Sequence, residues 1–189
     1  MIPNGGKMDQ KQLAWDEYFL KIAETVALKS KDPSTKCGCI VVDQNRRIVS
    51  TGYNGLIQGA DESKLTMTER PMKYHMVVHA EMNAALFARR DLTGCTVYCN
   101  FATCDNCLKH CLQAGIKRFV YERLRVHSHT SDGTKSMTNF ETDEAIVRML
   151  AAMPDVKTLN VTNGKTYIED ILEQYDEGSE EYNKLKAWL

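Results

Sequence analysis

Residues 78–121 read VHAEMNAALFARRDLTGCTVYCNFATCDNCLKHCLQAGIKRFVY, and two periodicities alternate within them. Over 78–89 the apolar positions Ala80, Ala84, Ala85 and Phe87 suit a helix, and Thr93-Gly94 then breaks it. Residues 95–99 are a short run rich in β-forming side chains, and 105–113 return to helical character before Gly115. Residues 117–121 form the strand that follows. With a strand at 47–53 upstream, the order is strand, helix, strand, helix, strand, which favours parallel pairing with helices laid over the sheet.

Working outward, residues 13–28 place Leu13, Phe19, Leu20, Ile22, Ala23, Val26 and Ala27 at helical spacing, and Pro33 closes that helix's exit. Residues 37–42 and 47–53 are β-rich around a short polar break, predicting a hairpin. From Asn54 to Tyr74 the chain is polar and poorly periodic, the profile of a loop on the substrate side. Beyond Glu122 come a polar stretch with His127 and His129, and a helix over 142–152 with Asp143 and Glu144 near its positive end and Arg148 near the other. A strand at 157–161 follows, then an acidic tail in two helical pieces broken at Gly178-Ser179. The expected organisation is a flexible lead-in over 1–10, one domain over 11–161 and a helical extension over 162–189 packed on that domain.

A chain of 189 residues, 43% hydrophobic and 26% charged, can bury a core without covalent staples. A formal net charge of −1 argues against nucleic acid as the default partner. No apolar run is long enough to span a bilayer and residues 1–7 lack a secretory signal's apolar segment, so a soluble, cytoplasmic protein with no membrane partner is expected. Seven cysteines, two of them spaced C-x-x-C, point to metal binding and buried thiols rather than a disulfide framework.

The chemistry concentrates in His79-Ala80-Glu81 and Cys104-Asp105-Asn106-Cys107. One His and two Cys are three zinc ligands; a structural site closes with four N or S donors, whereas a catalytic one keeps a position for water. Both halves fall where a helix begins, so N–H groups and the helix dipole favour thiolate at Cys104 and Cys107. Glu81, two residues beyond His79, is placed to move protons. The alternative is a structural zinc with His75 or Cys111 as fourth ligand. Cys111 fits better as a small buried side chain, and Cys37, Cys39, Cys95 and Cys99 as core thiols. His127 and His129 suit solvated surface.

H-x-E followed by C-x-x-C is the signature of zinc nucleobase deaminases. The chain also holds Trp15-Asp16-Glu17-Tyr18-Phe19, Ser30-Lys31-Asp32-Pro33-Ser34-Thr35-Lys36, Gly52-Tyr53-Asn54-Gly55, His79-Ala80-Glu81-Met82-Asn83-Ala84 and Gln113-Ala114-Gly115-Ile116-Lys117. In that order these blocks resemble the deoxycytidylate (dCMP) deaminases of the cytidine deaminase superfamily over residues 13–121, with a weaker echo at Thr142-Asp143-Glu144-Ala145. The resemblance implies an α/β fold of three layers, α/β/α, around a mixed sheet of about five strands. It implies hydrolysis of dCMP to dUMP and ammonia, supplying thymidylate synthesis, with zinc-activated water attacking cytosine C4 and Glu81 shuttling protons. The Ala80 N–H would hold the base carbonyl, Asn54 the sugar, and Ser34 and Lys36 the phosphate. A homo-oligomer, by preference a hexamer, with dCTP as activator and dTTP as inhibitor, is implied too.

Two departures stand out. Thr103 replaces the proline that usually precedes the first cysteine. Ala60 stands where some relatives have a cysteine of a regulatory or second metal region, so one catalytic zinc and no second structural ion are expected. Competing functions are deamination of dCTP or a modified cytosine nucleotide, base editing in nucleic acid, which 8% aromatic content disfavours, and a non-catalytic nucleotide-binding module, which the retention of Glu81 disfavours.

Overall fold

The computed structural model describes residues 9–69, 72–124 and 137–189. The amphipathic stretch near the start is α1 (Gln10–Ala27), capped by the Asp9 side chain. The hairpin follows as β1 (Gly38–Val42) and β2 (Ile48–Tyr53), then a short helix α2 (Met72–Met76) that overlaps the end of the region expected to be loop. Next come α3 (Ala80–Phe87), β3 (Thr96–Phe101), α4 (Asp105–Gln113) and β4 (Arg118–Arg123). The chain ends in α5 (Met137–Ala151), β5 (Lys157–Asn160), α6 (Tyr167–Leu172) and α7 (Glu180–Lys186).

The strands form one mixed sheet in the order β2-β1-β3-β4-β5. β3, β4 and β5 are parallel, as the alternation of elements predicts. β2 runs the same way but does not touch β3, because β1 lies between them, antiparallel to both. Burial gives the reason. Every residue of β1 is buried, so it needs cover on both faces and pairing on both sides, whereas β2 is largely exposed and takes the edge.

Alternation along β1 divides the core. Ile40 and Val42 pack with Phe19, Leu20 and Ala23 of α1, with Tyr98 and Val120 beside them. Cys39 and Val41 face the other layer, where Ala84, Leu108, Cys111, Ile146 and Ile171 are buried. At about 1.5–3 kcal/mol for each fully buried apolar side chain, this two-sided core carries the fold, and all seven cysteines are free thiols. Gly38 and Gly52 set how closely the layers approach the sheet. A Cβ on Gly38 would lie 2.0 Å from the Ala23 carbonyl oxygen, and one on Gly52 2.3 Å from that of Ala80. The second contact seats the first turn of α3 directly on β2.

One charge is buried under α1. Asp16 is 1% exposed and accepts both Nη atoms of Arg118, at 2.8 and 2.7 Å, and the Tyr98 hydroxyl at 2.9 Å, tying α1 to β3 and β4. Helix α5 begins at Met137, earlier than the periodicity suggests, so Asp143 and Glu144 lie beyond its first turn and do not serve its positive end. Instead Asp143 is buried and accepts the Tyr175 hydroxyl at 2.7 Å, while Glu144 pairs with Arg148 one turn on. The tail packs on the same core through Tyr167, Ile171, Leu172 and Leu185. Among the described residues no helix is long and apolar enough to cross a membrane.

Candidate metal centre and its cavity

The parallel strands and β2 all end at the same edge of the sheet, where β1 begins, and the H-x-E and C-x-x-C segments follow the edge's strands there. A crevice beyond strand carboxyl ends is where open α/β sheets bind ligands. Val78 is bridged to Gly55, with N–H···O bonds of 2.8 and 3.1 Å, so the residue before His79 is pinned beside Asn54. His79 is then the N-cap of α3 in extended conformation and Ala80 its first helical residue. Cys104 is likewise the N-cap of α4, and its Sγ accepts the Cys107 N–H at 3.5 Å, the thiolate-favouring geometry expected of a helix start.

These caps bring three donors together. His79 Nδ1 lies 3.4 Å from Cys104 Sγ and 3.5 Å from Cys107 Sγ. Bonds of ~2.3 Å to sulfur and ~2.0 Å to nitrogen at a tetrahedral angle require an N···S separation of about 3.5 Å, which both N···S distances match. Cys104 and Cys107 are buried and His79 is half-buried. Among the described residues this is the one cluster of His, Cys, Asp or Glu compact enough to hold a metal. Neither His75 nor Cys111 joins it. Burial, then the negative charge of Glu81 and neighbouring thiols, pushes Cys111 up to about 12, which keeps it a thiol in the core. Glu81, in the first turn of α3, is fully buried.

A cavity of about 640 Å³ opens onto His79 and Ala80, within the usual range for small-molecule sites. Asn54, Ser34 and Lys36 line it too, together with Lys73 and Arg123. A second cavity of about 670 Å³, beside Tyr53 and Phe87, contains none of His79, Glu81, Cys104 or Cys107 and is not this site.

The loop that forms one wall is held from within. Asp32 is 2% exposed; its Oδ1 accepts the N–H groups of Ser34 and Thr35 and the ammonium of Lys73, itself 5% exposed. Its Oδ2 accepts Asn54 Nδ2 at 3.1 Å. Burial alone would push Asp32 up, but the Lys73 hydrogen bond and the two backbone donors outweigh it and hold the carboxyl below its ordinary value. Asn54 also donates to the Thr35 carbonyl and accepts the Cys37 N–H at 2.8 Å, which fixes its amide orientation. Asn54 is thus a hub of the 32–37 loop as well as a wall of the cavity. Ser34 and Lys36 are exposed on that loop. Lys73 escapes a reading of the sequence, because nothing local marks a lysine that closes a contact 41 residues away. His127 and His129 lie outside the described residues.

A mixed sheet with three zinc-compatible donors and a buried glutamate at its carboxyl edge is the arrangement that the zinc nucleobase deaminase signature describes. Residues 13–123 match the family model of the cytidine and deoxycytidylate deaminase zinc-binding region. The chain belongs to that family. It is 44% identical over 104 residues to an uncharacterized deaminase of Aliivibrio fischeri, covering 55% of this chain and 69% of that one. To human deoxycytidylate deaminase it is 35% identical over 121 residues, covering 61% and 68%. The apo crystal structure of dCMP deaminase from cyanophage S-TIM5 superposes with a TM-score of 0.51 at 28% identity, covering 62% of this chain and 87% of that one. The family match stops at β4 and leaves α5, β5, α6 and α7 outside it.

Proposed function

We propose that the protein hydrolyses dCMP to dUMP and ammonia, feeding thymidylate synthesis, with one zinc held by His79, Cys104 and Cys107. The observation that carries this reading is the donor triangle with Glu81 buried two residues from its histidine. Zinc, when bound there, supplies a Lewis acid that lets water lose a proton near neutral pH. Glu81 would take that proton and deliver it to N3 of cytosine as the water oxygen adds to C4, then take the proton of the new C4 hydroxyl and pass it to the departing amine, so that water and dCMP balance dUMP and ammonia. The N–H of Ala80, one of the donors a helix start leaves unused, holds the base carbonyl. Asn54 fixes the loop, and its Oδ1 has a second lone pair for a sugar hydroxyl. Ser34 and Lys36 receive the phosphate. Lys36 suits this because it makes no ion pair among the described residues, whereas Lys73 is bound to Asp32 and Arg123 to Glu24. The unit is a cytoplasmic homo-oligomer, by preference a hexamer, and the exposed Ile57, Leu86 and Phe87 give it apolar surface to bury. Regulation by dCTP and dTTP belongs to the same proposal.

The test compares deamination of dCMP, cytidine, dCTP and single-stranded DNA by zinc-loaded protein, with and without dCTP. Preference for dCMP is the expected result. Zinc-loaded protein that leaves dCMP unchanged under both conditions overturns the proposal.

A further inference from the structure

The turn from β3 into α4 delivers both cysteine donors, and it does so without the proline that the deaminase signature places before the first of them. A proline fixes φ, and Thr103 leaves it free. The structure supplies restraint from elsewhere. On one side the Ala102 N–H donates to the Arg123 carbonyl at 2.8 Å. On the other, the Tyr167 hydroxyl donates to the Thr103 carbonyl at 2.9 Å, across 64 residues of sequence. That carbonyl belongs to the peptide that enters Cys104.

Tyr167 is itself firmly placed. It is the first residue of α6, preceded by a capping box in which Thr166 and Glu169 satisfy each other's backbone donors. Its own N–H donates to Thr158 Oγ1 of β5 at 2.9 Å. Its ring is 5% exposed and packs on Tyr121, with centroids 5.2 Å apart. The Tyr121 hydroxyl donates to Asp170 at 2.6 Å, and Asp170 also accepts the side-chain amides of Asn160 and Asn163. A buried carboxylate satisfied by three neutral donors thus holds α6 against β4 and β5.

We infer that the C-terminal segment completes the metal centre and that Tyr167 is a positioning residue, acting through the Thr103 carbonyl to hold Cys104 and Cys107 at ligand spacing. This deepens the reading of His79, Cys104 and Cys107 as a zinc site, but needs no particular substrate. Groups behind a metal's ligands commonly govern metal affinity by 10–100-fold. The Thr103 N–H makes no hydrogen bond among the described residues, so a proline at 103 removes no donor in use.

The experiment uses the full chain and reads metal rather than turnover: zinc affinity by competition with a chelator, and the visible spectrum of the cobalt(II)-substituted protein. Tyr167→Phe keeps the ring and deletes the hydroxyl. It is expected to weaken zinc about tenfold and to alter the cobalt spectrum. Tyr175→Phe, which deletes another hydroxyl of the same segment, the one donated to Asp143, is expected to leave both unchanged. Thr103→Pro added to Tyr167→Phe is expected to recover zinc affinity. Wild-type affinity and spectrum in Tyr167→Phe, equal loss in Tyr175→Phe, or a double variant no tighter than Tyr167→Phe each overturn the inference. A wild-type chain that takes up neither metal overturns the metal-centre reading with it. A chain that binds zinc and shows these effects but spares dCMP overturns the proposed substrate and leaves Tyr167 in its role.

Discussion

Replacing Lys73 by methionine tests how the cavity wall is held. The substitution deletes the ammonium that lies 2.7 Å from Asp32 and leaves that carboxylate, 2% exposed, with the backbone donors of Ser34 and Thr35 and the amide of Asn54. Removing one partner of a buried ion pair costs about 3–5 kcal/mol. Against a total stability on the order of 5–15 kcal/mol, that is a large fraction. For a chain of this size it converts to a fall in Tm of about 6–20 °C, at roughly 2–4 °C per kcal/mol. The pH dependence gives a sharper check. In the wild type the Asp32 carboxyl is held below its ordinary value, so its stabilisation is present above the unfolded value of about 3.9 and is lost as pH falls through the lower folded one. In Lys73→Met burial is no longer opposed by a cation, so Asp32 shifts upward and protonating it relieves the variant. The stability gap must therefore narrow as pH falls from 7 towards 4. Urea unfolding of both proteins across that range measures it, and Asp32→Asn/Lys73→Met should lie closer to wild type than the sum of the single variants. A gap under about 1 kcal/mol at pH 7, or one that stays constant to pH 4, refutes the reasoning.

Glu81→Gln keeps the donor triangle and removes the proton carrier, so zinc content should match wild type while kcat on dCMP falls by at least about 10²-fold; metal analysis and a steady-state assay measure the two, and near-normal kcat rejects the assigned role. Lys36→Ala removes an exposed ammonium from the cavity wall. KM for dCMP should rise about tenfold with kcat little changed and deoxycytidine turnover unaffected, while equal losses on both substrates rule out a phosphate contact.

What could be read from the sequence was local. His79 and Cys104 each cap a helix, and Glu81 and Cys107 fall in the following turn, so spacing along the chain fixed the donors' relation to backbone geometry before any tertiary contact was considered. The alternation of strand and helix gave the parallel half of the sheet for the same reason. The place of β1 between β2 and β3 was also written in its uninterrupted apolar run, since a strand buried on both faces is seldom an edge. Helix α5 starts ahead of the expected position 142 because Thr138, Asn139 and Glu141 dilute the apolar spacing there, and periodicity marks where a helix packs rather than where it starts.

The remaining features are contacts between residues far apart in the chain, which leave no periodic trace. Lys73 sits on a short helix at the end of a poorly periodic stretch, where a buried lysine and an exposed one look alike. Its partner Asp32 lay within a recognisable block yet had no role to suggest, because a carboxylate's value there depends on four donors that the fold collects from three places. Asn54 shows the consequence for function. A residue read as a substrate contact proves to be bonded on both sides of its amide to the loop carrying Ser34 and Lys36. Substituting it would move that loop even if the sugar never touched it, so loss of activity in an Asn54 variant cannot by itself assign a sugar contact. Lys36, whose ammonium makes no hydrogen bond or ion pair among the described residues, separates binding from scaffolding where Asn54 does not.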